Sequence, residues 1–414
     1  MTASSEPAAP EQAAPEPAPA EPAALKQAAP EPAPPEPAAP RPATASITLP
    51  GRAEPLLVTA PGWAATYRPP VTRRAYAAAH VAADAAGEID WDATIAFREH
   101  LWAHGFGVAE AMDTAQRGMG LPWPQARELI TRSAARAAEL GGVIACGAGT
   151  DQLPGGAHPL PAIIRAYEEQ AGAVQDAGGR VILMASRALA AAARSPRDYL
   201  DVYGHLVRQA RQPVILHWLG EAFDPALRGY WGSPDTAAAA DTVLEVIERS
   251  GGQVDGVKLS LLDAGQEVAL RRRLPPGVRL YTGDDFHYDE LIRGDSRGHS
   301  DALLGAFAAV TAPAAAALHA LDAGDLAGYQ AAIGPTVALS RLIFEPPTFY
   351  YKVGVAFLAW LNGLQPEFAM VGGLQRHRSA EHLIRVFELA AAAGALRDPE
   401  LAAGRMTDYL AGQP

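Results

Sequence analysis

The chain has one cysteine, Cys146, among 414 residues. A single thiol cannot close an internal disulfide, and it excludes a zinc or iron–sulfur site built from several cysteines. Charge is sparse too: 19% of residues are Asp, Glu, Lys or Arg, and no long basic run occurs. Lys and Arg total 34 against 46 Asp and Glu, a net charge of −12. Such an acidic balance argues against nucleic acid or an anionic membrane as partner. No apolar stretch reaches the ~20 residues that a membrane-spanning helix needs. The start of the chain also lacks the basic segment and apolar run of a secretory signal. What remains is a globular protein, expected in the cytoplasm, with 49% hydrophobic residues to build a large core.

What is present is unevenly spread. The first 40 residues hold 14 Ala, 12 Pro and 6 Glu, a third of the 36 prolines in a tenth of the chain. Such a segment buries too little surface to offset its ordering entropy, so residues 1–46 are expected to form a disordered tail. From there short apolar runs alternate with amphipathic stretches. Strands are expected near Arg74–His80, Phe106–Ala111, Gly142–Ala148, Arg180–Ala185, Pro213–Leu219, Gln253–Leu259 and Gly277–Thr282. Asp301–Val310 reads as a last strand or a short helix start. Helices are expected between them, over Trp91–His104, Trp123–Leu140, Leu160–Ala177, Pro196–Arg211 and Thr236–Ser250. Eight strands alternating with helices predict an α/β fold, a closed (β/α)8 TIM barrel over residues 47–313. An open doubly wound sheet would want a glycine fingerprint after its first strand, and Arg74–His80 is followed by none. After Pro313 the strands stop, and residues 314–414 read as a helical region.

In a barrel, active sites gather at the carboxyl ends of the strands. Along Val254–Leu262, Val257, Leu259 and Leu261 form one face, and Gly256, Lys258 and Ser260 form the other. The second face points into the lumen, where a lysine is costly unless it is paired or its ammonium is kept easy to deprotonate. A neutral buried amine is what Schiff-base chemistry requires. Equally, Lys258 could close its strand at the surface or pair with a carboxylate. Tyr230 and Trp231 would suit stacking on a sugar ring, or a packed loop cluster.

Several segments, in order, resemble the dihydrodipicolinate synthase and N-acetylneuraminate lyase family of class I aldolases. Glu88-Ile-Asp-Trp opens the first helix, and Ala111-Met-Asp-Thr-Ala-Gln stands where the family carries Gly-Thr-Thr-Gly-Glu. Pro213-Val-Ile-Leu-His-Trp matches the fifth strand, and Gly256-Val-Lys258 the Gly-Ile-Lys whose lysine forms the imine. Thr282-Gly-Asp-Asp285 follows the seventh strand, Leu304–Pro313 is similar to the eighth and its exit, and Lys352–Leu358 is similar to a late helix. The resemblance implies a lyase in which Lys258 attacks a carbonyl, the protonated imine serves as electron sink, and no cofactor is needed. It also implies a small-molecule carbonyl substrate and a homo-oligomer, dimer or tetramer.

The departures point away from dihydrodipicolinate synthesis. The family's proton-relaying tyrosine falls at His217, which can move protons near neutral pH or can be a core histidine. The arginine that follows it in the synthases has no counterpart, since Glu221 and Ala222 stand there. Of the paired threonines that hold a keto-acid carboxylate, Thr114 survives and the first becomes Asp113. An aspartate there would repel a carboxylate, or would act as an acid or base. Lys258, His217 and Asp113 are therefore the candidate catalytic residues. Thr114, Arg187 and Asp284 are candidate substrate contacts; Arg187 would otherwise be a surface residue, and Asp284 or Asp285 a helix cap. His80, Glu110 and His287 also fall at strand ends.

The expected function is a Schiff-base lyase, an aldolase or dehydratase, on a 2-keto acid or a sugar-derived carbonyl compound. Two other readings remain open at this point. A divalent-metal isomerase or lyase would ligate its ion through His217, Asp284, His287 and Glu110 or Asp113, although no metal motif is spaced there. A non-catalytic barrel could serve as a ligand sensor.

Overall fold

A computed structural model describes residues 44–412; the expected tail at residues 1–46 lies almost wholly outside the described residues. The described chain begins with an antiparallel pair, β1 (Thr44–Ile47) and β2 (Leu56–Thr59). Eight parallel strands follow: β3 (Ala75–Ala78), β4 (Gly107–Glu110), β5 (Ile144–Ala148), β6 (Arg180–Leu183), β7 (Val214–Leu219), β8 (Val254–Ser260), β9 (Arg279–Thr282) and β10 (Asp301–Leu304). They close in the order β3 to β10, with β10 pairing back onto β3. The (β/α)8 barrel expected from the alternation is therefore present, and the open doubly wound sheet is not.

The interleaved helices are α1 (Trp91–Ala103), α2 (Trp123–Leu140), α3 (Leu160–Asp176), α4 (Arg187–Ala192), α5 (Pro196–Gln209), α6 (Thr236–Glu248), α7 (Ala264–Arg271), α8 (Tyr288–Arg293) and α9 (Ala306–Ala309). The C-terminal region adds α10 (Thr311–Asp322), α11 (Leu326–Ile343), α12 (Tyr351–Leu361), α13 (Ala380–Ala392) and α14 (Pro399–Ala411). Local chemistry fixes many ends. Pro stands in the first turn of α2, α3, α5 and α14, where a missing N–H is harmless. Asp90, Asp235 and Asp263 cap α1, α6 and α7 through their side chains.

Strand alternation sorts the side chains into two cores. Val108, Val181, Leu183, Leu216, Val257 and Leu259 face the helices. Tyr76, Ala109, Ala145, Ile182, Ile215, Tyr281 and Leu303 fill the lumen. Two tyrosine rings pack edge to face there, Tyr76 and Tyr281, with centroids 6.0 Å apart. Their neighbours are glycines for a steric reason: a Cβ on Gly107 would lie 2.6 Å from the Tyr76 ring, and one on Gly256 2.8 Å from the Tyr281 ring. These bulky residues close the lower lumen and leave the carboxyl ends of the strands to build a site.

The strands β1 and β2 and the helices α4, α7, α8 and α14 were not expected from the sequence. The β1–β2 hairpin packs on α13 and α14, and α14 itself extends the helical region. Asp301–Val310 divides into β10 and the short α9. Helix α12 is buried on nearly every side and packs against the loop that follows β4.

Candidate functional site

Lys258 lies on β8, in register with His217 on β7 and Tyr281 on β9. Since Tyr281 belongs to the lumen, so does Lys258; it is only 7% exposed. Its amine makes no hydrogen bond among the described residues. Burial pushes the ammonium below the ordinary lysine value, while the charges of Asp113 and Asp285 push back. Gly283, just after β9, leaves room for the side chain: a Cβ there would come within 3.0 Å of Lys258 Cε. The chain contains three lysines, Lys26, Lys258 and Lys352, against 31 arginines. Both lysines of the described region are buried.

Asp113 and Thr114 lie in a short 3-10 turn after β4. Thr114 is buried, and its Oγ1 stands 2.7 Å from the hydroxyl of Tyr351, which α12 brings in from the C-terminal region. Tyr351 stacks on Phe344 with centroids 4.3 Å apart. The end of β10 accommodates this pair through Gly305, where a Cβ would meet Tyr351 Cε2 at 3.1 Å and Thr114 Oγ1 at 3.4 Å. Burial raises the Tyr351 phenol well above its ordinary value, and Asp113 and Asp285 raise it further. Asp285 is itself buried; this burial lifts its carboxyl to about 8, against the backbone N–H of Ala306 and the charge of Lys258. Thus Lys258, Asp113, Asp285 and Tyr351 form one electrostatic group.

Two adjoining chambers open at this end of the barrel. The smaller, of about 190 Å³, is lined by Asp113, Arg187, Phe223, Tyr351 and Lys352 among others. The larger, of about 560 Å³, shares Asp113, Arg117, Arg187, Leu219 and Asp224 with it. Lys258 lines neither directly; Asp113, whose charge acts on it, lines both, and Tyr351 lines the smaller. A cavity of about 700 Å³ lies at the opposite end among Arg73, Arg74, Arg180 and Arg279. It is remote from this group, and Arg74, Arg180 and Arg279 pair there with Asp255 and Asp301.

The other expected residues are placed as follows. His217 is fully buried, with Nε2 3.4 Å from Ser260 Oγ and Nδ1 without a partner. Burial, then the charge of Lys258, holds its pKa well below the ordinary histidine value. Arg187 opens α4, is largely exposed, and pairs with Asp224. Asp284 accepts the backbone N–H groups of Phe286 and His287 at 2.8 and 3.0 Å and pairs with the His287 ring, so it ties down the loop before α8. Glu110 meets Arg98 in a fully buried two-point pair, both contacts 2.9 Å. His80 is buried against Gln365, and burial lowers it to about 4. Tyr230 and Trp231 are packed among Tyr199 and Tyr203 rather than open to a ligand.

Among the described residues no group of three or more His, Cys, Asp and Glu is arranged to hold a metal ion. The set proposed for a metal enzyme is divided: Glu110 is engaged by Arg98, and Asp284 and His287 engage each other. The sequence did not single out Tyr351 or Lys352 as site residues, and between a substrate contact and a helix cap it favoured the cap for Asp285. For Lys352 a signal was available in the scarcity of lysine.

The fold recurs in solved dihydrodipicolinate synthases. One, the chloride-inhibited enzyme from Acinetobacter baumannii complexed with pyruvate, superposes with a TM-score of 0.59 at 15% identity, covering 78% of this chain and 100% of its own. The enzyme from Bacillus clausii gives 0.60 at 13% identity, covering 77% and 97%. That from Oceanobacillus iheyensis gives 0.58 at 15% identity, covering 77% and 95%. These identities establish the shared barrel, the fold that the sequence segments resemble. No curated protein matches the sequence. The match that spans the barrel and its helical extension, residues 51–413, is to the family described as "Protein of unknown function (DUF993)", and to this family the chain belongs.

Proposed function

We propose that the protein is a lysine-imine lyase, an aldolase or dehydratase acting on a 2-keto acid or sugar-derived carbonyl compound, and not a dihydrodipicolinate synthase. The observation that carries this reading is the solitary amine of Lys258, buried in the lumen with no hydrogen-bond partner among the described residues. Pyruvate in the Acinetobacter baumannii structure supports a keto acid as the simplest ligand to try.

In the proposed reaction the neutral amine adds to the substrate carbonyl, and the carbinolamine loses water to give the protonated imine. Electrons from a breaking C–C or C–H bond then flow into the imine and leave an enamine. Asp285, held near 8 by burial, is suited to take the Lys258 proton and return it to the departing hydroxyl. Asp113 and the Thr114–Tyr351 hydroxyl pair are the groups proposed to move the substrate proton. His217 lies deep in the lumen in register with Lys258, and Arg187 contacts the substrate from the chamber mouth. Asp284 contributes by fixing the loop that carries Asp285. The replacement of a threonine by Asp113 argues against a pyruvate-type carboxylate being held as in the synthases.

The test is hydrogen exchange beside the carbonyl. Pyruvate and a panel of sugar-derived keto acids are incubated in D2O and followed by NMR. Wild-type protein should exchange the protons next to the carbonyl of at least one of them, and Lys258→Ala should not. Exchange that survives Lys258→Ala but disappears with EDTA would replace this reading by metal-assisted enolisation.

A further inference from the structure

The second buried lysine has no place in the chemistry above. Lys352 is 2% exposed, and its Nζ donates to the carbonyl of Phe349 at 2.8 Å. Its other contacts are weak: Met119 Sδ at 3.4 Å and the face of Tyr351, 4.6 Å from the ring centroid. An ammonium carries three donors, and burying one without a counter-ion is costly. Among the described residues no carboxylate lies within 4.0 Å of it. Yet Lys352 lines the 190 Å³ chamber.

We propose that this chamber is a subsite for an anionic oxygen group, a carboxylate or a phosphate, at the end of the substrate remote from its carbonyl, with Lys352 as the principal ligand. This deepens the lyase reading and rests on it for the position of the carbonyl. Arg187 lines the same chamber, where it pairs with Asp224, and its charge acts on Lys352. Arg117, also in the wall, is already satisfied by Asp151 and Gln170. An anion between Lys352 and Arg187 would relieve their repulsion and supply the missing counter-charge.

Asp113 orders the substrate. It lines the chamber together with Lys352, and its charge acts on both Lys258 and Lys352. A carboxylate next to Asp113 would be repelled, whereas a hydroxyl there would donate to it. The chemistry selected is a carbonyl over Lys258, a hydroxylated middle at Asp113 and an anionic end at Lys352. The chamber has room for the anionic end, since a water occupies about 30 Å³ and the chamber, at about 190 Å³, holds several times that. Burial lowers Lys352 to about 8, which leaves it largely protonated at neutral pH.

The test uses the full chain and two probes, inorganic phosphate and malonate, titrated calorimetrically. Wild-type protein should bind at least one, and Lys352→Met should weaken that binding about tenfold or more. Stronger phosphate binding identifies a phosphorylated end, and stronger malonate binding a carboxylate end. Arg187→Ala, at an exposed site, should also weaken binding several-fold, and it serves if Lys352→Met does not fold. Failure of wild-type protein to bind either anion overturns the proposal. Binding unchanged in the variants does so too, since it would move the anion to the arginine-lined cavity at the other end. The lyase reading is separated by borohydride trapping with 2-oxoglutarate and 2-oxobutyrate. Lys352→Met should erase any preference for the anionic tail while keeping the adduct on Lys258. Anion binding that depends on Lys352, without any adduct at Lys258, would retain the subsite and remove the lyase.

Discussion

Lys258 and Tyr351 divide the work that the proposed site requires, one supplying the nucleophile and the other a path for protons. The phenol is buried and bonded to Thr114, so its loss removes a hydroxyl without opening a large cavity. Tyr351→Phe should therefore keep the Lys258 adduct while slowing exchange beside the carbonyl roughly 100-fold, the usual scale of acid–base assistance. NMR exchange rates compared with adduct yield check this, and equal losses in both would assign Tyr351 a packing role instead. The Arg98–Glu110 pair behaves differently, because each charge is fully buried and answers the other. Glu110→Ala should cost about 3–5 kcal/mol by denaturant titration, and a double change to apolar residues of similar volume considerably less. A small loss in the single variant would mean that water reaches Arg98.

At the scale of elements, β9 and α7 share a buried acid. Glu267 on α7 accepts the hydroxyls of Thr282 at 2.9 Å and Ser300 at 2.7 Å, and burial raises it from 4.5 to about 8. Its folded pKa lies above its unfolded one, so its contribution is complete below about 4.5 and is lost as pH rises through about 8. Wild-type protein should lose stability relative to Glu267→Gln between pH 5 and pH 9, by on the order of a few kcal/mol. Thermal melts at the two pH values measure the difference, and parallel curves would show that Glu267 stays ionised or reaches water.

The same scale shows what the sequence could reveal. The barrel strands were legible because each short apolar run sits between amphipathic helices, and the alternation along β8 was enough to turn Lys258 inward. The hairpin was not, because β1 and β2 are four residues each and only one position on each is buried. Helix α14 is rich in alanine and polar residues and carries a weak apolar stripe. Lys352 and Tyr351 escaped because helix α12 reaches the barrel mouth through tertiary packing, which no local pattern records. Asp284 and Asp285 are adjacent and look alike in sequence. Only the fold separates the one that ties a loop from the one that faces Lys258.

At the scale of the whole molecule, the barrel supplies the amine and the helical extension closes over it. The arrangement puts a lysine, with His217 in register beside it, in a lumen whose other lining is mostly apolar. The most direct measurement is borohydride reduction of the full-length protein with a keto acid, followed by peptide mapping. With three lysines in the chain, the location of an adduct is unambiguous. The account predicts a reduced adduct on Lys258 that is absent from Lys258→Ala. Modification confined to Lys26 or Lys352, or none with any keto acid of the panel, would contradict it.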